Sequence, residues 1–215
     1  MYIVFIGDII ESKKLDDRKN QQEHIKGVFD KLNNKFKDII VSKLTLTLGD
    51  EFQVILKPSI NIFRLIDSLQ VELNLEFRLG IGHGEIVTDI NPELSIGADG
   101  PAFWNAREAI EEVHSQNWGG KCNLLFRSEK QESDRILNTL ILAQELIKSD
   151  WTAKQRETAK AIMQLNNPYD FQQKDLAKQM NISESSLSKR LSAGNIKAYL
   201  HTQETAMQVL EIYYV

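Results

Sequence analysis

Two aspartates stand where this chain could do chemistry. Asp8 follows the first apolar run, residues 1–6, behind Gly7, and Asp50 follows Gly49 between two further apolar runs, with Glu51 beside it. Carboxylates brought together repel unless a cation lies between them. Mg2+ suits such a pair, because it takes one or two carboxylates and completes its shell with phosphate oxygens. The stretch Ile9-Ile10-Glu11-Ser12-Lys13-Lys14 leads away from Asp8 as a strand-to-helix loop. Its amides, with Ser12 and Lys13, are candidate nucleotide-phosphate contacts. Arg78 is another, although a strand arginine serves equally well as an ion-pair partner. Taken singly, each aspartate reads as a cap or turn residue; the pair is what raises a metal site.

Other residues carry weaker signals. His83 lies between Gly82 and Gly84, which suits a turn histidine or a phosphate contact. Phe103-Trp104 reads as a core-facing pair at a helix start or as a platform for a base. Cys122 is the sole cysteine and opens an apolar run, so it reads as a buried strand residue and excludes an intrachain disulfide. The four histidines show no H-x-x-x-H spacing, which argues against zinc.

A second chemistry lies near the C-terminus, in residues 173–191. Leu176 and Met180 share one face of a first helix, and the small Ala177 permits a close crossing. Asn181 marks a turn, since Asn tolerates the left-handed conformation. Ile182 plugs the turn, and Ser183 caps a second helix with Leu187 and Leu191 facing inward. Ser183, Glu184, Ser185, Ser188, Lys189 and Arg190 then lie on the outer side. Short hydroxyls and bases there are what a major-groove reader requires. Residues 150–215 hold eight Lys/Arg against seven Asp/Glu, so a single copy is expected to grip DNA weakly and a dimer to help.

These groups need a scaffold. Residues 1–6 read as a buried strand and 18–37 as a helix with Ile25, Val28, Phe29, Leu32 and Phe36 on one stripe. Residues 44–48 alternate as a half-buried strand, and 52–56 complete a hairpin with Asp50 at its tip. A helix after Pro58, a strand at 75–81 closed by Gly82 and Gly84, a short strand at 85–88, a helix at 101–113, a strand at 122–126 and a helix at 133–148 follow. This order predicts an α+β, ferredoxin-like first domain over residues 1–149. An all-α helix-turn-helix domain follows over 150–215, with Asp150 capping a helix at 151–165.

The chain has 215 residues, 42% hydrophobic and 26% charged, and a net charge of −4. That is a globular composition; any DNA contact must come from a local patch. No apolar run approaches the roughly 20 residues of a membrane span, and the short apolar start lacks a basic leader. A cytoplasmic protein is expected.

Three stretches resemble class III nucleotide cyclases: residues 5–12, Leu48-Gly49-Asp50-Glu51-Phe52, and Arg78-Leu79-Gly80-Ile81-Gly82-His83-Gly84. That resemblance implies Asp8 and Asp50 as metal ligands, with the Ile9 carbonyl as a third. Departures stand beside it. Leu46 replaces the purine-reading lysine, Glu11 intrudes on the phosphate loop, and Trp104 and Glu108 fall where an Asn and an Arg would stabilise the transition state. Together with Gly100-Pro101-Ala102-Phe103-Trp104-Asn105-Ala106-Arg107-Glu108-Ala109 and the terminal helix pair, the motifs are also similar to the bacterial SatD family. The expectation is a DNA-binding regulator whose catalytically degenerate cyclase-like domain senses a Mg2+-nucleotide. The alternatives are a divergent nucleotidyl cyclase or phosphotransferase using Asp8 and Asp50, and a dimerisation or scaffold protein.

Overall fold

A computed structural model describes residues 1–10, 18–47, 49–116 and 119–215, without the side chains of residues 18 and 19. Its elements are β1 (Tyr2–Ile9), α1 (Arg18–Lys35), β2 (Ile40–Leu46), β3 (Glu51–Leu56), α2 (Ile62–Leu73), β4 (Phe77–Gly84), α3 (Pro101–Ser115), β5 (Leu124–Arg127) and α4 (Gln131–Ser149). They continue with α5 (Ala153–Met163), α6 (Gln173–Gln179), α7 (Glu184–Ala193) and α8 (Ile196–Tyr214).

The strands form one sheet in the order β2-β3-β1-β4-β5. β1 pairs antiparallel with β3 and β4, and β5 joins β4 in parallel through α3. The first four strands are thus the split βαβ arrangement expected of the alternating helices and hairpin. Both faces are covered, which explains why residues 2–6 of β1 are apolar without interruption. Ile3, Phe5, Phe52, Val54, Leu79 and Ile81 meet α1, α2, α4 and α8 on one face. Val4, Ile6 and Ile55 meet Ala102, Phe103, Ala106 and Ile110 of α3 on the other.

The glycines expected to close β4 lie inside it. A Cβ on Gly80 would stand 2.1 Å from the Ala106 carbonyl, and one on Gly82 2.1 Å from the Ala102 carbonyl. The alternation puts Leu79 and Ile81 on one face and a track of bare backbone on the other, and α3 lies directly on that track. The segment expected as a strand at 85–88 has no regular structure.

One residue on each edge strand is clamped by a helix asparagine. Asn33 of α1 accepts from the Leu44 amide (2.8 Å) and donates to its carbonyl (3.0 Å). Asn138 of α4 does the same to Phe126, at 2.8 Å each way. An edge strand offers unpaired amides and carbonyls to other chains, and each clamp takes up both groups of one edge residue.

The first core does not end at residue 149. α4 stops at Ser149, and Thr152, not Asp150, caps α5 in a reciprocal box with Gln155. A second cluster gathers Trp151, Ala159, Ile162, Leu176, Leu187, Leu191 and Tyr199. α8, which the sequence reading did not assign, belongs to both clusters. Its Ile196, Tyr199 and Leu200 lie in the second, while Ala206, Leu210 and Tyr214 lie in the first. Where the two meet, Asp67 of α2 is buried and accepts from the Tyr199 hydroxyl (2.7 Å) and the Gln203 amide (2.5 Å). Among the described residues no helix is long and apolar enough to cross a membrane.

Two glycines make a matched test of this packing. Gly82→Ala forces a methyl into α3 backbone and is expected to lower stability by about 3 kcal/mol or more. Gly27→Ala, on α1 with nothing within 4 Å of the added carbon, is expected to raise it by about 0.5–1 kcal/mol. Urea midpoints of the two variants check both signs.

Candidate functional site

Strand register assembles the first candidate site. Asp8 is paired with Glu51 of β3 on one side and Arg78 of β4 on the other. The Ile9 amide donates to the Asp50 carbonyl at 3.2 Å, so the first strand's end and the hairpin tip do lie together. Asp8 alternates with Val4 and Ile6 and therefore faces α3. Arg78 Nη1 donates to Asp8 Oδ2 at 2.9 Å, and His114 Nε2, near the end of α3, stands 3.5 Å from Oδ1. Asp8 Oδ1, Arg78 Nε and Thr45 Oγ1 are buried without hydrogen-bond partners. The two Asp8 oxygens thus face the Arg78 guanidinium and the His114 ring. Among the described residues no three His, Cys, Asp or Glu side chains gather as a metal site. Ser12 and Lys13, the expected phosphate contacts, lie outside the described residues, as do Glu11 and Leu48.

Other singled-out residues take quieter places. His83 is a buried strand residue, not a turn residue, with its ring edge-on to Tyr214 at 5.2 Å. Phe103 is buried, but Trp104 is exposed and donates through Nε1 to Asp99 at 2.8 Å. Cys122 is buried just before β5 and its Sγ donates to the Leu124 carbonyl. Burial pushes its thiol up to about 11, which keeps it protonated and poorly nucleophilic.

The second candidate site is the pair α6 and α7. Asn181 takes the left-handed conformation (φ 53), and Ser183 caps α7 by accepting from the Ser186 amide. Leu176, Ala177, Leu187 and Leu191 are buried, while Ser183, Glu184, Ser185, Ser188 and Lys189 are exposed. Arg190 differs from them. Its Nη1 pairs with Glu157 of α5 at 3.2 Å and reaches the Thr158 hydroxyl, so it holds α7 against α5.

The sequence reading missed Asp67, Tyr199, Gln203 and His114. Tyr199, Gln203, Ala206, Leu210 and Tyr214 recur at helical spacing, which is the signal that would have found α8. Nothing local marks Asp67, a lone acid within the α2 sequence.

The SatD family profile matches residues 2–210, spanning the sheet and the C-terminal helices. The chain belongs to the SatD family. No curated protein matches it. Two solved structures of bacterial light-regulated adenylyl cyclases are similar to this member of the family at 12% and 14% identity, with TM-scores of 0.43 and 0.41. In each, the alignment spans 58% of this chain and 42% of the cyclase, so well under two thirds of the cyclases' length is matched.

His83 yields a pH prediction. Burial first, then Lys130 and the N-terminal amine, lower its pKa from 6.5 to about 4, against the pull of Asp134. A depressed base contributes stability that is complete above pH 6.5 and is lost as pH falls towards 4, because the unfolded histidine takes a proton that the folded one refuses. The loss amounts to at most about 3 kcal/mol. Urea unfolding across this window is expected to show that slope in the wild type and a flatter one in His83→Leu; equal slopes would assign the loss elsewhere.

Proposed function

We propose that this protein is a DNA-binding regulator in which α6 and α7 form a helix-turn-helix and α7 reads the major groove. One observation carries the reading. The buried side of α7 is apolar and fixed, while its free side offers Ser183, Glu184, Ser185, Ser188 and Lys189 without apolar interruption. Hydroxyls and a lysine on a rigid exposed helix match base edges and phosphates. Lys174 and Lys178 on α6 and Lys197 on α8 are exposed as well and suit phosphate contacts. Arg190 enters the proposal as the brace that orients α7 rather than as a DNA contact.

The sheet unit is read here as a non-catalytic body. Among the described residues, the Arg78 guanidinium on Asp8 Oδ2 and the His114 ring 3.5 Å from Oδ1 leave no second carboxylate paired with Asp8 for a divalent ion. The near-neutral charge of residues 150–215 makes paired copies on a two-part site the expected binding form.

The test is fluorescence anisotropy against a mixed-sequence duplex pool, followed by selection of the bound fraction. Binding is expected at roughly 50 mM salt and should weaken steeply as salt rises. Lys189→Ala should weaken binding to all duplexes several-fold and lower the salt slope by about one, whereas Ser188→Ala should alter sequence preference. Absence of binding to any duplex at low salt would refute the proposal.

A further inference from the structure

A cleft of about 720 Å3 opens where the sheet unit meets α5. This lies within the roughly 300–1,000 Å3 range of small-molecule sites, and such sites favour junctions between structural units. Half-buried Val71, Leu75 and Met163 supply apolar wall.

The charged groups around it are unequally engaged. On the floor, Lys148 pairs with Glu145 at 2.5 Å and Asp67 is spent on Tyr199 and Gln203. Lys121 reaches Asp150 at 3.4 Å, and Glu157 is taken by Arg190. Glu76 stands exposed on the sheet side. Arg156 and Lys160 are different: they sit four residues apart on α5, both exposed, with no ion pair among the described residues. Arg156 is also pre-positioned. Its Nε donates to the Trp151 carbonyl at 3.2 Å, which fixes the guanidinium. Its terminal nitrogens donate no hydrogen bond among the described residues.

An arginine fixed through Nε presents a planar fork that suits a phosphate bidentately, and a lysine one turn away adds a point charge. We propose that this cleft binds a small phosphate-bearing organic molecule, with Arg156 and Lys160 holding the phosphate and Val71, Leu75 and Met163 taking the organic part. The site is separate from the Asp8 corner and from the exposed side of α7, so it stands whether or not α7 binds DNA. It touches Asp67 directly, so occupancy would be felt at the contact joining the two cores.

Isothermal titration of the full chain with adenosine 5′-monophosphate and inorganic pyrophosphate, with adenosine as the phosphate-free control, tests this. Saturable binding of at least one phosphate probe is expected, with adenosine at least tenfold weaker than the monophosphate if that probe binds. Arg156→Gln/Lys160→Gln should lose at least tenfold. Lys160→Gln alone, which breaks no ion pair or side-chain hydrogen bond among the described residues, should lose about threefold, and Lys189→Ala should lose nothing. Binding of a phosphate probe that is unchanged in the double variant, or in Lys160→Gln where the double variant fails to fold, would overturn the proposal. So would the absence of saturable binding of either phosphate probe to the folded wild type.

Discussion

The two halves of this molecule are joined where α8, which packs into both cores, meets the buried Asp67 of α2. A carboxylate buried away from water is costly unless its oxygens are satisfied, and desolvation accordingly raises the Asp67 pKa. Tyr199 and Gln203 satisfy them from α8, and Tyr169 extends the chain by donating to the Gln203 carbonyl oxygen at 2.8 Å. Because α8 contributes side chains to both apolar clusters, pulling the units apart would expose apolar surface on each and break the hydrogen bonds that Tyr199 and Gln203 give Asp67. The orientation of α7 relative to the sheet is therefore set by packing and not by a tether.

The glycine track of β4 is the second constraint, and it bears on the Asp8 corner. With no Cβ at Gly80, Gly82 and Gly84, α3 settles on bare backbone, and its far end carries His114 to Asp8. The same strand brings Arg78 to Asp8 in register. Asp8 and Arg78, which lie in two of the stretches that resemble nucleotide-handling motifs, are here engaged with each other. The packing role of the glycines is sufficient to explain them without a ligand.

Local features were the legible ones. The turn at Asn181 and the cap at Ser183 were readable because each depends on the conformational preference of one residue and its immediate neighbours. The alternation before Gly49-Asp50 marked the hairpin for the same reason. What failed was tertiary in origin. Gly82 and Gly84 looked like a strand end, since nothing local reveals that a helix will lie on them. Asp150 looked like a cap, but Thr152 with Gln155 forms the reciprocal pair. α8 went unassigned because its stripe includes the polar Gln203, whose amide is matched by Asp67, 136 positions away. In the candidate sites, exposure of the α7 outer face followed from helical period, whereas the withdrawal of Arg190 to Glu157 did not.

The central claim is that the two units are one cooperative body joined at Asp67 and α8. The most direct test is urea unfolding followed by two probes: fluorescence of Trp151 in a Trp104→Phe/Trp118→Phe background for the second core, and exchange protection of β1 and β4 amides for the first. The account predicts coincident transitions with one midpoint, which merge less closely in Asp67→Ala. A second core that melts at lower denaturant while β1 and β4 remain protected would contradict it.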